Sequence, residues 1–61
     1  MTPNNLKFLR IRAKLTQAEV AAKLDVDQGS VSNWERGLHR PSAKYRRALA
    51  ELYEVDESEL L

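Results

Sequence analysis

Residues 15–37 read LTQAEVAAKLDVDQGSVSNWERG, and two helix starts are written into them. Thr16 and Glu19 stand at the spacing of a capping box. In that motif the hydroxyl accepts from the backbone three residues on, and the carboxylate reaches back to the cap amide. A helix therefore starts at Gln17, with Val20, Ala21 and Leu24 as its buried stripe. The periodic pattern stops around Asp25. Asp27 can cap a second helix over about 28–36 that turns Val31 and Trp34 inward, and Gly37 is available to end it as a left-handed residue.

Only about three residues separate these two segments, a spacing that forces a steep crossing and leaves one helix exposed along its outer side. This is the geometry of a helix-turn-helix. Val26 completes the apolar set, and the small Ala21 sits where the following helix must approach closely. The positions left outside are Gln17 on the first of the pair and Gln28, Ser30, Ser32, Asn33 and Arg36 on the second. All are polar and able to hydrogen-bond.

Working outward, Thr2 followed by Pro3 fits a cap with proline at the first helical position. Leu6, Leu9 and Ala13 then fall on one side of a first helix ending near Lys14. Pro41 bars a helix through residues 37–42, Ser42 caps a fourth helix, and Tyr45, Leu49, Leu52 and Tyr53 follow at helical spacing. Asp56-Glu57-Ser58-Glu59 repeats the cap pattern ahead of Leu60 and Leu61, which predicts a short fifth helix. The expected core is Leu6, Leu9, Val20, Ala21, Leu24, Val26, Val31, Trp34, Leu49, Val55 and Leu60.

A chain of 61 residues supports one all-α domain and no second core. Without cysteine, neither disulfides nor a cysteine-held zinc can staple that core, so packing must do the whole job. The single histidine, His39, has no ligand cluster around it, so no metal or cofactor is expected. The absence of a cysteine nucleophile and of a glycine-rich phosphate loop argues against an enzyme. No apolar run resembles a signal peptide or a membrane span, and a soluble, cytoplasmic protein is expected. The net charge of +1 hides a lopsided distribution. Residues 1–50 hold all ten Lys and Arg against four acids, a balance of +6, while the last eleven residues hold five acids and no base. If the acidic segment packs on the far side, one face is basic enough to attract a phosphate backbone.

The run Leu15-Thr-Gln-Ala-Glu-Val-Ala-Ala-Lys-Leu24, then Val26, then Val31-Ser-Asn-Trp-Glu-Arg-Gly37 and Pro41-Ser42, resembles the Cro and phage-repressor family of transcription regulators. Leu9-Arg10, Leu49-Ala50, Val55 and Leu60-Leu61 extend the likeness over essentially the whole chain. The resemblance implies a five-helix, lambda-repressor-like DNA-binding domain whose third helix lies in the major groove. It implies a phosphate contact at Gln17 and base-edge positions at Gln28, Gly29 and Asn33, with Ser30 and Ser32 beside them. Gln and Asn suit adenine, because one amide can accept from N6 and donate to N7 together. Arg36, Arg40, Ser42 and Lys44 would flank a loop along the sugar-phosphate backbone, and Arg10 and Glu35 match a structural ion pair between helices one and three.

Such regulators act on near-palindromic double-stranded operators as homodimers with half-sites about 34 Å apart. Here the pairing would use the fifth helix and Leu60 or Leu61, and be weak or absent without DNA. A repressor, an antitoxin controlling its own operon and a controller of restriction-modification genes are equally compatible with these residues, and so is the amino-terminal piece of a longer repressor. Three positions depart from the family pattern. Asp25 replaces the usual turn glycine, Glu54 replaces the glycine after helix four, and Gly29 lowers helix propensity by about 1 kcal/mol relative to alanine. Gly29, Asp25 and Asp27 lend some support to an alternative, a helical protein-interaction module that keeps the fold without specific DNA binding.

Overall fold

Reciprocal capping sets the first boundary in the computed structural model, which describes residues 5–60. The Glu19 backbone N–H donates to Thr16 Oγ1 at 3.0 Å, and the Thr16 N–H donates to the Glu19 carboxylate at 2.8 Å. Among the described residues the chain is all-α, with α1 (Leu6–Arg12), α2 (Gln17–Leu24), α3 (Gln28–Glu35) and α4 (Ala43–Tyr53), then a 3-10 turn at Glu57–Glu59. The expected cap at Thr2 and Pro3 and the expected packing of Leu61 lie outside the described residues. Helix α2 packs chiefly on α3, α1 also touches α3, and the 3-10 turn folds back on α4.

All four helices end in one backbone motif. The N–H of a left-handed residue bonds three residues back, and the next N–H bonds five back, the pattern of a Schellman turn. The left-handed residues are Lys14 (φ 63°), Asp25 (φ 59°), Gly37 (φ 77°) and Glu54 (φ 58°). The five-back bonds run from Leu15 to the Arg10 carbonyl, Val26 to Ala21, Leu38 to Asn33 and Val55 to Ala50. A left-handed non-glycine residue costs roughly 1–2 kcal/mol. Three of the four ends bear this strain, and in each the next residue, Leu15, Val26 or Val55, packs against the core. At the fourth end glycine removes the strain and Leu38 stays 57% exposed. Asp25 and Glu54 thus hold a left-handed backbone conformation that favours glycine.

The buried hydrophobic core among the described residues is Leu6, Leu9, Val20, Ala21, Val31, Trp34, Leu49, Ala50, Tyr53 and Leu60. Several sequence expectations need correction. Ala13 is exposed, because α1 stops at Arg12 and the chain is already turning toward left-handed Lys14. Leu24, Val26 and Val55 line the rim of the core as half-buried side chains, and Ala50 and Tyr53 fill its interior instead. Asp27 and Ser42 occupy N-cap positions with extended backbone, but neither side chain makes a cap hydrogen bond. The fifth helix is only a single 3-10 turn. The Leu60 carbonyl accepts from the Asn5 N–H at 3.1 Å and the Glu59 carbonyl from Asn5 Nδ2 at 2.8 Å, so this segment is held as a clasp on the start of α1. Leu60 itself is wholly buried and therefore unavailable to a partner chain.

Candidate nucleic-acid interface

Val31 and Trp34 turn α3 into the core, and the helical repeat then fixes what faces outward. Gly29 and Arg36 lie directly opposite the buried pair, with Ser32 and Asn33 beside them. Gln28 forms the flank on the Glu35 side, and Ser30, half-buried, the flank on the Trp34 side. The side chains of Gln28, Ser32 and Asn33 make no hydrogen bond among the described residues, and Gln28 is exposed. The outer stripe of α3 is therefore a row of uncommitted donors and acceptors on a rigidly seated helix.

The seat is polar. Arg10 Nε donates to Glu35 Oε2 at 2.6 Å and Arg10 Nη2 to Oε1 at 3.3 Å, a bidentate pair with side-chain exposures of only 12% and 4%. Arg10 Nη1 also donates to the Leu15 carbonyl at 2.9 Å, tying the pair to the turn that follows α1. The hydrogen bond to Glu35 is the main reason the guanidinium is held above its ordinary pKa. Gln17 Nε2 donates to Glu35 Oε1 at 3.0 Å, so one carboxylate gathers the amino end of α2, the carboxyl end of α3 and the middle of α1. An amide nitrogen carries two protons, and this bond occupies one of Gln17's. Behind the cluster, burial and then the Glu35 charge push the Tyr53 phenol up to about 12, with Arg10 partly opposing them.

Basic residues follow α3 in the chain. Arg36, Arg40 and Ser42 are exposed along the connection from α3 to α4, and Lys44 is exposed in the first turn of α4. That connection is anchored from within, because the Asn33 carbonyl accepts from the Leu38 N–H at 2.9 Å and Pro41 is fully buried. Arg46 Nη1 donates to the Pro41 carbonyl at 3.1 Å. Tyr45 stacks obliquely on Trp34 with ring centroids 5.4 Å apart, and the Lys44 ammonium lies 5.4 Å from the Tyr45 ring. Helix α4 runs about 16 Å from this end to the other. At its far end, Glu51, Glu54, Asp56, Glu57 and Glu59 are all exposed. The acids of the last eleven residues gather at the end of α4 and the 3-10 turn, with Arg47 among them and Arg46 at 3.9 Å from Glu57, while Arg36, Arg40 and Lys44 follow α3 directly in the chain.

A family model described as helix-turn-helix, of the Cro and phage-repressor type, matches residues 6–60. The chain belongs to this helix-turn-helix family. No curated protein sequence matches it. Five chains of solved structures do. One is the crystal structure of a candidate DNA-binding protein from Bacteroides fragilis, 25% identical, with a TM-score of 0.86 over 98% of this chain and 97% of that one.

In this helix-turn-helix domain the residues singled out from sequence fall into three groups. Gln28, Gly29, Ser32, Asn33 and Arg36 share the outer side of α3, with Ser30 at its edge. Arg40 and Ser42 lie on the adjoining connection with Lys44 at the start of α4, and Arg10 and Glu35 meet inside, where Gln17 joins them. Two participants carried no sequence signal of their own. The Gln17–Glu35 bond joins residues eighteen apart and depends on the crossing of α2 and α3. Arg46 reads as one more surface cation, yet it supports the Pro41 carbonyl and approaches Glu57 at 3.9 Å. No helix among the described residues is long and apolar enough to cross a membrane, and no cluster of His, Asp and Glu among them could hold a metal ion.

Proposed function

We propose that this chain binds double-stranded DNA sequence-specifically as a transcription regulator, acting as a repressor that occupies its operator. The observation carrying this reading is the outer stripe of α3, with unpaired amides and hydroxyls at its centre, cations following it in the chain, and the Arg10–Glu35–Gln17 cluster fixing its orientation. A helix so presented enters the major groove while α2 crosses the backbone. Gln28 and Asn33 read base edges, adenine suiting their amides best, with Ser30, Ser32 and Gly29 beside them. Gln17 offers its second amide proton to a phosphate, and Arg36, Arg40, Ser42 and Lys44 follow the sugar-phosphate backbone. These latter contacts set position and carry no sequence information.

Two copies bind a near-palindromic site and are weakly associated without it. Because Leu60 is buried, pairing uses surface other than that side chain. The fold of the Bacteroides fragilis protein, and the DNA binding suggested for it, are consistent with this assignment. The test is selection from a random duplex library at stated salt, followed by affinity measurements across salt concentrations for wild type and Gln28→Ala. A two-fold-symmetric consensus is expected, with Gln28→Ala losing about 1–3 kcal/mol on it and little of the salt dependence. Binding that ignores sequence, or a variant indistinguishable from wild type on the best site, would overturn the assignment of α3 as the reading helix.

A further inference from the structure

The chain has two glycines, and the structure gives them opposite reasons to exist. Gly37 sits at φ 77°, where a side chain is strained. Gly29 lies inside α3 at an ordinary negative φ, and a Cβ built there meets no atom within 4 Å. Neither backbone geometry nor a neighbour requires glycine at 29. Intrinsic propensity gives no reason for glycine either, since alanine is favoured by about 1 kcal/mol in a helix interior and by less in the first turn, where Gly29 sits. The position lies in the first turn of α3, on the outer stripe and directly opposite Val31 and Trp34. The stripe therefore has a notch near its amino end, with Ser32 and Asn33 one turn on.

Resting on the reading that α3 meets base edges, we infer that this notch is a specificity element that receives the C5-methyl group of a thymine. In the major groove most base-edge features ask for a hydrogen-bond donor or acceptor. The thymine methyl is the bulky apolar one, and it asks for room. Gly29 supplies room and no side-chain polar atom: its carbonyl is engaged by the helix, and its N–H, one of the unpaired first-turn donors, points along the helix axis toward the amino end rather than outward. Thymine is also the partner of the adenine that the neighbouring Asn33 amide suits, so the two demands converge on one base pair. Alanine at 29 would put its own methyl where the thymine's belongs.

The experiment uses the full chain and the best site from library selection. Each thymine in one half-site is replaced singly by deoxyuridine, which removes only the methyl, and affinities are measured for wild type and Gly29→Ala. For wild type, one such replacement should weaken binding about fourfold, the worth of one buried carbon group. Gly29→Ala should bind the thymine site about tenfold more weakly, as overpacking does, and the same deoxyuridine should relieve that loss. Urea unfolding separates this from misfolding, because Gly29→Ala should favour the folded state by about twofold to fivefold. The inference is overturned if no single deoxyuridine affects wild type, or if its effect is the same in both proteins. A wild type that selects no sequence at all would instead sink the assignment beneath it, and this inference with it.

Discussion

Helices α2 and α3 are each eight residues long and pack against each other, yet they are held in place by different means. Helix α2 is specified locally. A reciprocal capping box starts it, Glu19 and Lys23 sit at the ends that suit their charges, and Val26 closes it against Ala21. Helix α3 has no side-chain cap bond, no favourable charge in its terminal turns and a glycine at its second position. Its order comes from elsewhere: Val31 and Trp34 in the core, Tyr45 against Trp34, and Glu35 gripped by Arg10 and Gln17. A helix stabilised from behind can leave its front free for a ligand, whereas one stabilised by its own surface groups has spent them.

The strongest way to break this contrast is Glu35→Ala. It strands a buried guanidinium and releases Gln17, and should cost about 3–5 kcal/mol in urea unfolding. A loss under about 1 kcal/mol would mean that α3 does not depend on that grip.

Tyr53 probes the same anchor through pH. Its folded-state pKa is raised from 10.0 to about 12, so the neutral phenol is favoured in the folded chain. The resulting stability is fully present below pH 10 and is lost as pH rises from 10 through 12. The total is about 2–3 kcal/mol, from two pH units at 1.36 kcal/mol each. Stability of Tyr53→Phe should lack this alkaline fall. If both proteins fall together, the phenol is not what senses the core.

Local capping is tested by a pair of substitutions. Thr16→Ala should cost about 1 kcal/mol, because it removes a made cap bond. Asp27→Ala should stay within about 0.5 kcal/mol, because no such bond exists there. Equal losses would erase the distinction between the two helices. The smallest effect expected is at the turn between them. Asp25→Gly relieves a left-handed aspartate but adds unfolded-chain freedom, for a net gain of a few tenths to about 1 kcal/mol in the same unfolding assay.

This contrast also explains what could be read from the sequence. The start of α2 follows from Thr16 and Glu19 and its end from where the stripe of Val20, Ala21 and Leu24 stops, and the buried positions of α3 follow from the spacing of Val31 and Trp34. The end of α1 is harder to read, because nothing in Ala13-Lys14-Leu15 announces a left-handed lysine, and helical spacing extends the apolar side of α1 to Ala13, one residue past its last turn. Asp56 and Glu59 do mark a start, but the turn goes no further than Glu59 because Leu60 is drawn into the core and its carbonyl is taken by Asn5. Within the candidate site, the residue types on α3 were legible because helical geometry alone sorts them. Gln17 was not fully legible. Its bond to Glu35 exists only once two helices cross, and a pattern within one helix carries no information about it.

The clasp between Asn5 and the Glu59–Leu60 carbonyls has a topological consequence. The first and last described residues are joined at one spot on the surface, so the described chain is almost a closed ring. Whatever is tethered before Asn5 or after Leu60 leaves from the same place, and the order in which this domain and a neighbour are strung together becomes nearly immaterial to their relative position. A circular permutant that bridges the clasp with a short flexible linker and opens instead at the exposed Leu38–His39 connection would keep every helix in place, and would turn the loop beside α3 into the free ends of the chain.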